Sequence, residues 1–225
     1  GDTEFTDGDV VTGTLVIGAG GQFPKLTIAD GASVTLRNAV VNARGLSGSS
    51  FAWPAIACAG NATIVLEGEN TVKGLYGDYP AIYVPYVGSL TIKGTGALTV
   101  SANGSSAAIG SGKGTSDNLD TSSVKYAGSI SIQGGMITAK GGSNGGAGIG
   151  CGVSQGNCGA ITIANGITKV HAYGTGYNNH IGGASNSSYG GISIGANLTD
   201  VTKSTGRLII PRNVVDLSTL SASDP

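Results

Sequence analysis

A short alternation of apolar and polar positions recurs along the chain. It reads Leu26-Thr27-Ile28, Ile64-Val65-Leu66, Leu90-Thr91-Ile92, Ile130-Ser131-Ile132, Ile161-Thr162-Ile163 and Ile192-Ser193-Ile194. Period-two alternation predicts a strand with one buried face. Each segment then reaches a glycine-containing turn, as at Gly68, Gly94, Gly134 and Gly166. A second strand follows: Met136-Ile137-Thr138-Ala139-Lys140 aligns with Lys169-Val170-His171-Ala172-Tyr173 and with Ala97-Leu98-Thr99-Val100-Ser101, and Asn70-Thr71-Val72-Lys73 is a shorter version. After a variable loop comes a third segment, seen as Ala55-Ile56-Ala57, Ala81-Ile82-Tyr83, Ala108-Ile109-Gly110, Gly148-Ile149-Gly150 and His180-Ile181-Gly182.

Three short strands per repeat predict an all-β parallel β-helix, a β-solenoid in which Ile lies over Ile from one coil to the next. About seven coils fit between Leu26 and Val201, a rod on the order of 30–35 Å long at the usual spacing between paired strands. A β-sandwich also has many short strands, but it does not predict three columns of matched residues. The chain reads as one domain over residues 1–225, with an N-terminal cap at 1–17, coils at 18–202 and a C-terminal cap and tail at 203–225. The caps are expected because the end coils expose unpaired backbone and apolar side chains. The longest insertion, Ser111 to Ala127, is polar and is expected to project from the rod.

Composition narrows the function classes. Glycine supplies 41 of 225 residues, charged residues only 11%, and apolar residues 40%. The apolar share is too high for a disordered linker, and six prolines with no three-residue glycine period exclude collagen. A net charge of −1 with 12 basic residues gives nucleic acid no electrostatic foothold. No apolar run approaches the roughly 18 residues of a membrane-spanning helix, so no transmembrane segment is expected. The chain opens without a signal peptide, so an export signal is expected to have been removed ahead of Gly1.

IADGASVTL (Ile28 to Leu36), SLTIKGTGALTV (Ser89 to Val100), GGAGIGCG (Gly145 to Gly152) and CGAITIANG (Cys158 to Gly166) together resemble a family of bacterial surface β-helix proteins. That family is described as carbohydrate-binding and is similar in structure to polysaccharide lyases. The resemblance covers roughly Asp7 to Asp200. It implies a right-handed parallel β-helix, a cell-surface or extracellular location and, in some members, binding of cellulose or pectin-like polymers with bound calcium. It supplies no catalytic motif.

Candidate chemistry is sparse. No HExxH, CxxC or GxSxG motif occurs, which removes the usual markers of zinc hydrolases and serine esterases. Asp117 and Asp120, with Asn118, are the best local candidates for calcium, a cation that takes about six to eight oxygen ligands; a solvated polar loop is the plainer reading. Both histidines, His171 and His180, are expected at the surface. Glu67 and Lys93 are expected as a surface ion pair on neighbouring coils. Cys58 and Cys151 share a column three coils apart, too far to bond. Cys151 and Cys158 either pair or fill core space as thiols.

The aromatic residues carry the functional expectation. Trp53-Pro54-Ala55-Ile56 aligns with Tyr79-Pro80-Ala81-Ile82, which puts the indole and phenol on adjacent coils, with Tyr76, Tyr83 and Tyr86 close by. Sugar rings present apolar C–H faces, and Tyr and Trp offer large rigid surfaces that lose little entropy on binding. The alternative role for these rings is loop packing. The expected function is therefore a non-catalytic glycan-binding or adhesive module, with Trp53 and Tyr79 removable at little cost in stability. A polysaccharide lyase or glycoside-cleaving enzyme, and a structural spacer or protein-binding adhesin, are the alternatives.

Overall fold

In the computed structural model the described residues are 2–15, 22–113, 126–153, 157–164, 169–174, 180–183, 188–194 and 207–211. They form an all-β protein of parallel strands, with one 3-10 turn at Ser49–Phe51 and no α-helix among them. One sheet joins seven strands in chain order: Thr3–Phe5, Leu26–Ile28, Ile56–Cys58, Ile82–Tyr83, Ile109–Gly110, Ile149–Gly150 and Ile181–Gly182. A twelve-stranded sheet branches at the long strand Ser33–Val41. One arm runs through Ala62–Glu67, Ser89–Gly94, Ser129–Ile132, Ile161–Ile163 and Ile192–Ile194; the other runs through Glu69–Lys73, Ala97–Ser101, Met136–Lys140, Lys169–Tyr173 and Arg207–Pro211. A small third sheet pairs Tyr126–Ala127, Asn157–Cys158 and Ser188–Tyr189.

The branch has a local cause. In Ser33–Val41 the buried positions are Val34 and Leu36, then Ala39 and Val41, so the inward phase slips by one residue at Asn38. Asn38 sits at φ 52, a left-handed conformation that Asn tolerates better than most residues. Its Oδ1 accepts a hydrogen bond from the Glu69 N–H at 3.0 Å. The equivalent corner of the next repeat is Gly68, at φ 63, where a Cβ would collide with the Asn38 amide.

Inside, Ile56, Ile82, Ile109, Ile149 and Ile181 lie in strict register along one sheet. Leu98, Ile137 and Val170 do the same along the second arm. These side chains belong to one contiguous core, and each fully buried aliphatic contributes about 1.5–3 kcal/mol over exposure. Asn70 fills the slot opposite Leu98. It is tolerated because its Oδ1 accepts from the Ala39 N–H and its Nδ2 donates to the carbonyls of Glu67 and Ala97.

Two expected alignments change. Leu26–Ile28 does not share a column with Ile64; it pairs with Ile56–Cys58, and Val34-Thr35-Leu36 stands beside Ile64-Val65-Leu66. Along the same arm Leu90 lies opposite Ala62, not Ile64. That two-residue offset keeps every side chain on its expected face, because strand faces alternate with period two. It does move the charges: Lys93 stands beside Val65, and Glu67 bonds to Arg37. The expected Glu67–Lys93 pair is therefore replaced by an exposed Arg37–Glu67 pair.

At the N-terminal edge, Val10–Thr14 pairs with Ser33–Val41 and shifts register between Thr12 and Gly13, skipping Asn38. The mouth of the core beside it, lined by Phe5, Val11, Leu15, Leu26 and Val41 among others, encloses about 250 Å³. Arg207–Pro211 joins Lys169–Tyr173 antiparallel, the one such pairing among the described strands. Nearly uniform parallel pairing excludes a sandwich built of antiparallel hairpins.

Cys151 and Cys158 form a disulfide with Cα atoms 5.9 Å apart, and together with Ala127 they make a small satellite core. The bridge closes a short loop, for which chain-entropy arguments give about 2 kcal/mol. Replacing both cysteines by serine is expected to lower the denaturant midpoint by that equivalent in urea unfolding. An unchanged midpoint would show that the loop is held by its other contacts.

Candidate aromatic surface

The aromatic residues gather at two corners on either side of the strand Ile82–Tyr83. The first corner is the turn Tyr76-Gly77-Asp78-Tyr79, closed by a 3.2 Å hydrogen bond from the Tyr79 N–H to the Tyr76 carbonyl. Its two phenol rings lie 6.2 Å apart, tilted by 37°. The neighbouring loop holds it firmly: the Gly77 carbonyl accepts from the Ser105 N–H and the Ser106 hydroxyl, each at 2.7 Å. The Asp78 carbonyl accepts from the Lys113 N–H at 3.0 Å, and the Lys113 ammonium lies 3.9 Å from the Asp78 carboxylate. Gly104, at φ 53, packs backbone to backbone on Gly77, and a Cβ there would fall 2.5 Å from the Gly77 Cα. Side chains at these two positions would push the loops apart.

Trp53 stands on the loop of the preceding repeat. Gly48 donates its N–H to the carbonyl of Leu75, the residue before Tyr76, so this loop leans on the tyrosine turn. The register of Ile56 with Ile82 places Trp53 and Tyr79 at equivalent positions, as expected. Each ring nevertheless finds its partner within its own loop: Trp53 meets Phe51 edge-on at 6.1 Å, and Tyr79 meets Tyr76. The Lys25 ammonium sits 5.5 Å from the centre of the Trp53 ring, a cation–π contact. Trp53 is half-buried and packed against the core.

The second corner holds Tyr86, 58% exposed, and Val87, 89% exposed. Tyr126 lies against Tyr86 with ring centres 5.6 Å apart and a tilt of 55°. Sequence reasoning passed over Tyr126, although Tyr86-Val87-Gly88-Ser89-Leu90 and Tyr126-Ala127-Gly128-Ser129-Ile130 repeat one pattern. Gly88 and Gly128 are the common hinge: a Cβ on Gly128 would overlap the Gly88 carbonyl. Lys113 and Tyr126 thus bring the two ends of the long insertion to the two corners. Asp117 and Asp120, the calcium candidates, lie outside the described residues. Among the described residues no group of three His, Cys, Asp or Glu side chains is close enough to hold a metal ion, and no helix is long and apolar enough to cross a membrane.

Tyr83, between the corners, is only 9% exposed, and burial pushes its phenol pKa up to about 12, with Cys58 a smaller cause. Burial likewise pushes the free Cys58 thiol up to about 12, so it stays protonated and unreactive at neutral pH. At Tyr79, burial, Asp78 and Tyr76 raise the phenol pKa in that order, keeping the hydroxyl neutral.

Both histidines depart from the expected surface positions. His171 lies in the strand Lys169–Tyr173, which the antiparallel strand Arg207–Pro211 joins, and it is buried against Tyr173. His180 is buried where earlier repeats place Ala or Gly, and its Nδ1 accepts a hydrogen bond from the Gly174 N–H at 2.7 Å. Neither position was legible, because the alternation pattern assigns a face and not what later covers that face.

No family model matches the chain, and comparison with curated proteins and with solved structures finds no similar protein.

Two outcomes follow from this packing. Contrary to the sequence expectation, Trp53→Ala is expected to lower stability by about 1–2 kcal/mol, less than the roughly 3–5 kcal/mol of a fully buried Trp, as read by the shift in thermal midpoint. Burial lowers the His180 pKa below its ordinary 6.5, so the unfolded chain takes up this proton at a higher pH than the folded one. Stability contributed at neutral pH is therefore lost as pH falls below about 6.5, levelling off once the folded-state pKa is passed. His180→Asn, whose Oδ1 lies where Nδ1 does and can still accept from the Gly174 N–H, should flatten this acid slope in denaturation curves between pH 7 and 5. An identical slope would remove His180 as its source.

Proposed function

We propose that this chain is a right-handed parallel β-helix that serves, without catalysis, as a carbohydrate-binding or adhesive module of a bacterial cell-surface or secreted protein. The nearly uniform parallel pairing of strands from repeat to repeat in three sheets supports the β-helix. Its handedness follows from the strong preference of parallel crossover connections for the right hand. The family resemblance of the repeat motifs points to the same architecture and to glycans.

The observation that carries the functional reading is the tyrosine turn Tyr76–Tyr79. Two half-exposed rings are fixed on a turn whose carbonyls are tied to the next loop. A sugar face packing on such rings needs no ordering of the protein first, which is the condition for affinity from a small contact area. The Asp78 carboxylate and the Lys113 ammonium beside the rings supply partners for hydroxyl groups. The Cys151–Cys158 disulfide supports an oxidising location such as the cell exterior. Trp53, Tyr86 and Tyr126 extend the contact surface; Tyr83 supports it from below.

The test is a glycan array probed with the protein and with its Tyr76→Ala/Tyr79→Ala variant. Signal on at least one polysaccharide, reduced about tenfold or more in the variant, is expected, as for loss of well-packed interface aromatics. Melting temperatures should stay within a few degrees of each other. Equal signal from both proteins would remove the turn as the site, and silence across the array would remove the function.

A further inference from the structure

Resting on that reading, we infer that the surface takes single, hydrated, twisted polysaccharide chains and discriminates against the flat face of a crystalline polysaccharide. The inference comes from the angles between rings. A crystalline face is a rigid plane, and aromatic side chains that bind it together must present coplanar rings. None of the three ring pairs in contact on this surface does so. Tyr76 and Tyr79 are tilted by 37°, Tyr86 and Tyr126 by 55°, and Phe51 and Trp53 stand at 88°. A plane laid on one ring of any pair meets the other at an angle and loses its van der Waals contact, which falls away steeply with distance. A free chain can rotate at each glycosidic linkage and so present successive sugar faces at an angle to one another. With centres 6.2 Å apart, Tyr76 and Tyr79 are spaced to meet neighbouring sugars of one chain.

The backbone beneath the rings is held in place. The turn carrying Tyr76 and Tyr79 is pinned through the Gly77 and Asp78 carbonyls and by the contact of Gly77 with Gly104. Trp53 is wedged between the core, Phe51 and the Lys25 ammonium. Turning the Trp53 ring into the plane of Phe51 would mean breaking that packing.

The experiment compares two probes with the intact protein: water-soluble xylan, titrated by calorimetry, and microcrystalline cellulose, measured by depletion from solution. Tighter binding to xylan by about tenfold or more is expected, with Tyr76→Ala and Tyr79→Ala each weakening it severalfold. Tyr86→Ala, at an exposed position where folding is not at risk, should weaken it to a smaller degree. Equal or tighter binding to the crystalline face, or xylan binding untouched by all three substitutions, overturns this inference while leaving a glycan-binding function in place. Failure of both probes overturns this inference, and together with silence on the glycan array it overturns the function as well.

Discussion

Everything in this molecule depends on parallel strands pairing in register from one repeat to the next. A strand of two or three residues, such as Ile109–Gly110, cannot hold itself; it persists because Ile82–Tyr83 and Ile149–Gly150 flank it with the same spacing. The register aligns Ile with Ile and so makes one core out of side chains contributed singly. It also aligns the loops. The turn bearing Tyr76 and Tyr79 is rigid because the following repeat brings Ser105, Ser106 and Lys113 to its carbonyls. Structure at the surface is thus a consequence of strand pairing beneath it.

That dependence explains what the sequence could and could not reveal. The column of isoleucines from Ile56 to Ile181 was legible, because an Ile with Ala or Gly on at least one side recurs there with little else to match. Leu26-Thr27-Ile28 was assigned to the wrong column because Leu90-Thr91-Ile92 is the same tripeptide. Alternation identifies a strand and its buried face, but the same alternation serves every sheet of the molecule. Only the corner decides which sheet a strand enters, and the corner at Asn38 depends on one backbone angle. A polar residue among apolar ones, Asn70, gave no sign that it was buried and fully hydrogen-bonded.

The aromatic surface was legible to a similar depth. Matching Trp53-Pro54 with Tyr79-Pro80 placed two rings at equivalent positions, and the strand register agrees. Which ring touches which was beyond the reach of pattern matching. Phe51 reaches Trp53 through a tight local turn, and Lys25 arrives from the preceding repeat. Such contacts depend on side-chain directions within irregular loops, where no periodicity operates. Tyr126 stands apart from these, since its relation to Tyr86 is written in a repeated pattern on either side of the long insertion.

The placement of rigidity bears on how such a surface can act. Long insertions in repeat proteins fall in loops, and here both ends of the insertion, Lys113 and Tyr126, are anchored where the rings are. An insertion at an arbitrary loop would cost little in closure entropy and gain nothing. One whose anchors are a charged contact with Asp78 and a ring contact with Tyr86 adds partners to both aromatic corners. The exposed Val87 lies beside Tyr86 at the second of these corners. Rings, insertion anchors and the exposed valine thus fall at the two corners that flank the strand Ile82–Tyr83.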